Sequence, residues 1–265
     1  MVLPIIPSIQ SLEITWEPLP NDYVLPDDPV ENIQQPLLAA ALTDALGEAG
    51  LIQPTMLIAS NFGLVATVAR KTVVKAPDWL YVSDARPVVE GVVVRRSYTP
   101  HAEGASVAIV MEFLSESDTE EYSARPVYPY GKLYFYEHIL QVPTYVIFDP
   151  RDLILEVRRL QEKQYVLQQP NAEGRYWIPE TKLFLGMWQG TRLGTKTHWL
   201  RWWDEAGNLL LWSSETAEQE RQRTEQERQR AEQECQRAEQ ERQRAEVAEA
   251  ELARLRALLE ERSSQ

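Results

Sequence analysis

The chain has 265 residues, a net charge of −13 at pH 7 and an apolar fraction of 44%, with 8 tryptophans and 11 tyrosines. This composition suffices for one domain of about 200 residues plus an appendage. The acidic balance argues against a general nucleic-acid coat, so any DNA contact must be local. No run approaches the roughly 20 apolar residues of a membrane span, and the first residues lack a signal-peptide pattern, so we expect a soluble, cytoplasmic protein.

The content of reactive residues narrows the possible chemistry. Cys235 is the single cysteine, which excludes an intramolecular disulfide and fits a reducing compartment. The three histidines, His101, His138 and His198, are too widely spaced to suggest a histidine-based metal site. The sequence has no Gly-rich phosphate loop and no Ser/His/Asp arrangement, so nucleotide-triphosphate use and acyl transfer are poorly supported.

The predicted elements begin after an irregular lead-in, residues 1–24, which is rich in proline and acids. Residues 36–49 predict a helix, because Pro36 suits an N-terminal turn and Leu and Ala recur at helical spacing. Short β-like runs separated by turn residues follow it. These strands are predicted at residues 55–60, 64–70, 72–74, 79–83, 92–95 and 107–114.

The second half of the domain changes pattern twice. Residues 130–140 predict a helix, residues 144–149 a strand, and residues 153–167 a hairpin that turns at Glu162-Lys163. Five tryptophans fall between residues 188 and 212. They could stack on bases, but we favour their packing in a C-terminal hairpin that turns at residues 205–208. The order of elements predicts a mixed α/β fold.

The C-terminal segment, residues 213–265, carries a strict seven-residue repeat from Ala217, with AEQERQR as its typical unit. It contains no Gly or Pro and predicts a long helix with Glu/Arg pairs three residues apart. A 3-4 spacing of apolar residues appears only near the end, at Ala245, Ala248, Leu252, Leu255 and Leu259. A solvated single helix and a weak coiled coil both remain open for this segment.

The stretch SVAIVMEFLS places Glu112 in the middle of a run that predicts a buried strand. A buried carboxylate needs a partner, which could be an arginine such as Arg70 or Arg95, or a metal shared with a second acid. Asp78 opens the strand predicted at residues 79–83 and is the candidate second acid. Mg²⁺ suits two carboxylates, waters and phosphate oxygens, and Lys132 is the nearest candidate for a cation at the scissile phosphate.

These residues together resemble the Uma family of bacterial endonuclease-like proteins, a branch of the PD-(D/E)XK superfamily. The resemblance rests on Pro77-Asp78, on EFLS from Glu112, on Lys132 with Tyr136, and on VPTYVIFDP from Val142. It extends through FLGMWQG and HWLRWWD to the Glu/Arg-rich tail, as in members with a C-terminal coiled tail. It implies a restriction-endonuclease-like core over residues 25–212, with a central mixed sheet flanked by helices.

The resemblance also implies a function and a set of site residues. Asp78, Glu112 and the Phe113 carbonyl would bind Mg²⁺, for which Mn²⁺ could substitute, and Lys132 would assist DNA hydrolysis that leaves a 5′-phosphate. Gln35 (or its neighbour Gln34) and Glu31 are possible accessory residues from the first helix. Because cutting both strands of a duplex needs two sites, we expect a homo-oligomer such as a dimer. The alternatives are a catalytically decayed nuclease fold that acts as a scaffold through its tail, and a small-molecule phosphodiesterase with the same metal chemistry.

Several positions depart from the family pattern, and two of these departures concern the lysine. Leu114 stands where the general superfamily motif has its lysine, two residues after the second acid, so the lysine role passes to Lys132 on the following helix. Tyr128 stands where an aspartate is common, four residues before that lysine.

Overall fold

The structure is a computed structural model that describes residues 13–17, 33–87, 94–114 and 120–263. It divides into two compact units, Met1–Trp212 and Ser213–Gln265. The second unit contains one helix, α3 (Ser213–Ser263). The elements of the first unit are β1 (Ile14–Thr15), α1 (Gln34–Glu48), β2 (Leu57–Ala59), β3 (Gly63–Val68), β4 (Lys71–Lys75), β5 (Trp79–Val82), β6 (Ser97–Tyr98), β7 (Ile109–Phe113), α2 (Lys132–Tyr134), β8 (Thr144–Asp149), β9 (Ile154–Gln161), β10 (Gln164–Leu167), β11 (Tyr176–Ile178), β12 (Leu183–Arg192) and β13 (Thr195–Trp203).

A six-stranded mixed sheet forms the centre of the first unit, in the order β10-β9-β8-β7-β5-β2. Strands β7 and β8 are parallel, and the other neighbours in this sheet are antiparallel. The predicted mixed α/β class, with a central mixed sheet and a long C-terminal helix, is therefore confirmed. The predicted hairpin is β9–β10, where Glu162 and Lys163 both adopt positive φ as a two-residue turn requires.

Strand β7 separates two hydrophobic cores. Ile109, Met111 and Phe113 lie in the core that α1 covers. Val110 and Leu114 lie in the opposite core, which contains Phe135, Tyr136 and part of β3. Side chains alternate along a strand, so Glu112 belongs to the same face as Val110 and Leu114. Residues 132–139, here called the α2 segment, cover this face.

The α2 segment is shorter and less regular than the helix predicted over residues 130–140. Helix α2 spans Lys132–Tyr134 and continues as a π-helical turn over Phe135–Ile139. A π-helical turn widens the helix by one residue per hydrogen-bonded ring, a feature that sequence periodicity does not reveal. The inward side chains Phe135, Tyr136 and Ile139 are buried.

Two other predictions on the first unit need correction. The lead-in is not wholly irregular, because Ile14–Thr15 pairs with β3 as a short edge strand. The C-terminal hairpin is β12–β13, and it turns at Leu193-Gly194. Residues 205–208 form a separate turn that leads to an isolated bridge between Trp203 and Leu209.

Packing, rather than base stacking, accounts for most of the tryptophan cluster. Trp199, Trp202 and Trp212 are 1% exposed or less, and Trp203 is 6% exposed. The indole N–H groups of Trp202 and Trp212 donate to backbone carbonyls of α1, at Leu42 and Ala41. Strand β13 therefore packs on α1 and closes one core. The strand predicted at residues 92–95 falls partly outside the described residues, and Val94 and Arg95 are not in a strand.

The described side chains of helix α3 are exposed from Ala217 onward. Its charged groups pair along the surface, as in Arg228–Glu225 at 2.9 Å and Arg242–Glu239 at 2.9 Å, both three residues apart. The long C-terminal helix is thus confirmed, and its coiled-coil pairing stays a prediction. Among the helices of the described ranges, none combines the length and the hydrophobicity that a membrane crossing demands.

Candidate active site

The two predicted acids lie near each other at one end of the antiparallel strands β5 and β7, with Glu112 inside β7 and Asp78 directly before β5. Trp79 of β5 pairs with Met111 of β7, so the next position in the same register sets Asp78 opposite Glu112. Directly opposed residues project to the same face of a sheet. Asp78 is half-buried, and its Oδ2 accepts a 2.5 Å hydrogen bond from the Phe113 N–H. The register thus brings the two carboxylates to one end of neighbouring strands.

Glu112 is 1% exposed and is held by two side chains from the α2 segment. The Tyr136 hydroxyl donates to its Oε1 at 2.8 Å, and the Lys132 ammonium donates to its Oε2 at 3.2 Å. The structure therefore brings Lys132 to Glu112, across the 20 residues that separate them. The prediction that an arginine such as Arg70 or Arg95 pairs with Glu112 is wrong. The cation beside Glu112 is Lys132, and Arg95 pairs with Glu103 at 2.8 Å.

A second buried acid, Glu121, was not found by sequence reasoning. It is 3% exposed and lies in a short 3₁₀ turn, Glu120–Tyr122. Its Oε1 accepts a hydrogen bond from the Lys132 ammonium at 2.8 Å. The surrounding stretch of acidic residues shows no helical or strand period, so nothing in the sequence separated Glu121 from solvent-exposed loop acids.

The backbone of Phe113 connects the acids to α1. Its N–H donates a hydrogen bond to Asp78, and its carbonyl oxygen accepts a 2.6 Å hydrogen bond from the Gln35 amide. Gln35 thus lies at the carbonyl that the resemblance assigns to the metal, whereas Gln34 donates to Thr197 at 2.8 Å. Glu31, the other possible accessory residue, lies outside the described residues.

Burial controls the protonation of this cluster. Desolvation raises the pKa of Glu112 from 4.5 to about 8, and the nearby Asp78 and Glu121 charges add to the rise, while Lys132 and the Tyr136 hydrogen bond oppose it. Burial alone would lower the pKa of Lys132, but Glu112 and Glu121 outweigh it and raise that pKa. Burial also raises the pKa of Tyr136 well above its ordinary value. Lys132 is therefore an ammonium, and Tyr136 is a neutral donor.

The donor set suits a hard divalent cation. In the described part of the chain, no group of three or more His, Cys, Asp or Glu side chains is arranged to hold a metal. The set is smaller: the carboxylates of Asp78 and Glu112 and the carbonyl of Phe113. The two oxygens of Glu112 offer about four lone-pair sites, of which Lys132 and Tyr136 occupy two. Mg²⁺ binds sites with one or two carboxylates and completes its shell with water.

The fold and the site define the class of the chain: a restriction-endonuclease-like α/β protein with an acid pair at the ends of neighbouring strands. The family model Uma2, described as "Putative restriction endonuclease", matches residues 24–193, and the chain belongs to this family. The C-terminal segment is similar to a second model, described as a Helicobacter pylori protein of unknown function (DUF874), over residues 205–259. No curated protein matches the chain.

Proposed function

We propose that this protein is a Mg²⁺-dependent endonuclease that hydrolyses DNA phosphodiester bonds in the cytoplasm. The observation that carries the proposal is the placement of the Lys132 ammonium 3.2 Å from Glu112. Asp78, directly before β5, falls opposite Glu112 when the β5–β7 register is continued by one residue. Two acids and a lysine are the groups that metal-assisted phosphodiester hydrolysis uses. Family membership supports the nuclease class independently.

Charge balance supports a bound cation. Asp78, Glu112 and Glu121 can carry three negative charges, and Lys132 supplies one positive charge against them. A buried excess of negative charge is costly unless protons or a metal offset it. Burial raises the pKa of Glu112 to about 8, which favours a proton on this carboxyl when no cation is bound. A divalent cation at Asp78, Glu112 and the Phe113 carbonyl would stabilise the ionised form instead.

The proposed metal ligands and the side chains that contact them have separate tasks in this proposal. A bound Mg²⁺ would polarise a phosphate oxygen and lower the pKa of a coordinated water. Glu112 and Asp78 would hold the cation, and the hydrogen bond from Gln35 orients the Phe113 carbonyl. Tyr136 orients the Glu112 carboxylate by donating to Oε1. Lys132 places a positive charge where negative charge grows on the phosphate in the transition state.

The proposal is tested by cleavage assays on plasmid and single-stranded DNA in Mg²⁺ or Mn²⁺. Asp78→Ala and Glu112→Ala should abolish cleavage. Glu180→Ala is the matched control, because Glu180 is also a mostly buried, paired carboxylate, held by Arg159 at 3.2 Å. This control should retain activity. Cleavage that survives in both site variants would refute the assignment of Asp78 and Glu112 to the active site. Cleavage of small phosphodiesters alone would favour the alternative function, a small-molecule phosphodiesterase.

We also propose that the C-terminal helix mediates self-association, a role that a decayed, non-cleaving nuclease fold would share. The apolar residues of the 3-4 spacing support this, and Leu252 among them is 55% exposed. Leu252→Glu should lower the oligomeric state measured by light scattering. Val247→Glu is the control, since Val247 is 67% exposed but lies off the 3-4 spacing. Equal masses for both variants and the wild type would contradict the role.

A further inference from the structure

Glu121 is the buried acid to which the proposed mechanism gives no task. Its contact with Lys132, at 2.8 Å, is shorter than the 3.2 Å contact between Lys132 and Glu112. Its Oε2 is buried and has no hydrogen-bond partner among the described residues. A carboxylate held in this way costs free energy, so its position calls for a physical role.

The chain around Glu121 is built to hold it in place. The buried Tyr145 hydroxyl donates to the Glu121 carbonyl at 2.9 Å. Gly131, just before α2, lets the segment after the 3₁₀ turn approach closely, since a Cβ there would lie 2.1 Å from the Ser123 carbonyl oxygen. The Gly131 N–H also donates a hydrogen bond to the backbone carbonyl of Arg125 at 3.1 Å. The 3₁₀ turn and the start of α2 therefore form one packed unit.

The N–H groups of the Lys132 ammonium donate to two different acidic side chains. An ammonium has three N–H donors. Within the described residues, one goes to Glu121 and one to Glu112, and the Lys132 side chain remains 20% exposed. A lysine side chain is flexible, and fixing it costs rotamer entropy. Two acceptors on one ammonium fix the direction of the third N–H.

We propose that Glu121 is a positioning residue: it holds the Lys132 ammonium so that its third N–H points to a phosphate oxygen of the substrate. This inference rests on the proposed function. It also explains how a lysine on a helix replaces one on the strand. Leu114 stands where the superfamily motif has its lysine, so the ammonium comes from a side chain of α2. Such a side chain requires a second acceptor to hold it in place. Glu121 is that acceptor and contacts neither the metal nor the reacting atoms.

Two measurements on the full-length protein test this inference. The first is acetylation of Lys132 in the metal-free protein, followed by mass spectrometry and compared with the exposed Lys196. Glu121→Gln should raise the Lys132 rate several-fold, because the ammonium loses its shorter contact. Glu121→Asp should give a smaller rise, since it keeps the charge. The control Glu180→Gln should leave both lysines unchanged.

The second measurement is single-turnover cleavage at saturating DNA and Mg²⁺. Glu121→Gln should lower the rate constant by roughly 10- to 100-fold, as expected for a misplaced group, without changing the substrate or Mg²⁺ concentration at half-saturation. Glu121→Asp should recover part of the rate. A parallel loss of Mg²⁺ affinity would overturn the inference, because it would make Glu121 a metal ligand. An unchanged rate of Lys132 acetylation would overturn it as well.

The two proposals can fail separately. If the wild-type protein cleaves no DNA, the proposed function fails, and acetylation still decides whether Glu121 holds Lys132. If Glu121→Gln does not fold, Tyr145→Phe replaces it, because this variant keeps the carboxylate and releases the turn. Tyr145→Phe should then raise Lys132 acetylation in the same direction, and no change would contradict the inference.

Discussion

The same type of pair, a glutamate with a basic side chain, occurs in two very different places in this molecule. In the site, Glu112 and Lys132 have side chains that are 2% and 20% exposed. In the C-terminal helix, Glu225 and Arg228 have side chains that are 47% and 72% exposed. Water screens the second pair and leaves the first almost unscreened. Burial, more than the identity of the charged groups, therefore determines how strongly the two charges of a pair interact.

Removing the buried cation should have the largest effect on stability. Lys132→Met keeps most of the aliphatic chain but leaves Glu112 and Glu121 without their cation. Breaking a buried pair costs about 3 kcal/mol or more in the free energy of unfolding. Urea denaturation of the metal-free protein measures this loss, with the exposed Lys196→Met as control. A loss no larger than that of the control would show that the buried cluster does not depend on Lys132.

The pH dependence of stability should distinguish the two regions next. In the folded, metal-free protein Glu112 keeps its proton up to a pKa of about 8, whereas the unfolded chain loses it near 4.5. The folded state then binds more protons within this window, so the contribution of Glu112 to stability falls as pH rises through it. Urea denaturation across the window should show this decline. Glu112→Gln should remove it, and parallel curves for both proteins would contradict the burial of an ionisable Glu112.

The exposed pairs of the helix should matter least. Glu225 has a lowered pKa, because Arg228 and Gln229 donate hydrogen bonds to it, yet its side chain lies at the exposed surface of the helix. Arg228→Gln should therefore leave the helical signal in circular dichroism and the thermal midpoint unchanged within error. A shift comparable to that of Lys132→Met would show that the C-terminal helix is held by its charges.

The sequence predicted those parts of the fold that depend on local patterns. Strand β8 was predicted with the bounds observed, because TYVIFD is a short apolar run buried on both sides. The turn of the C-terminal hairpin was placed wrongly at residues 205–208. The observed turn contains Leu193, which is 75% exposed and adopts a positive φ that leucine rarely takes. Tertiary pairing of two long strands overrode the local preference there.

For the site, the sequence provided the residues but not their distances. Asp78, Glu112 and Lys132 were named from residue type, order and resemblance, and the structure adds that Lys132 lies 3.2 Å from Glu112. Glu121 could not be found in this way. Its backbone carbonyl is held by the Tyr145 hydroxyl, 24 residues further along the chain, and the segment after its turn packs against Gly131. Contacts of this kind leave no periodic signal.

The central claim is that Asp78 and Glu112 form a site for a divalent cation. Titration calorimetry with Mn²⁺ tests it most directly, on the wild type, on Asp78→Asn and Glu112→Gln, and on the control Glu180→Gln. We expect one site per chain in the wild type and in the control, and loss of binding in both site variants. Binding that persists unchanged in Glu112→Gln, or a wild type that binds neither Mn²⁺ nor Mg²⁺, would contradict the account.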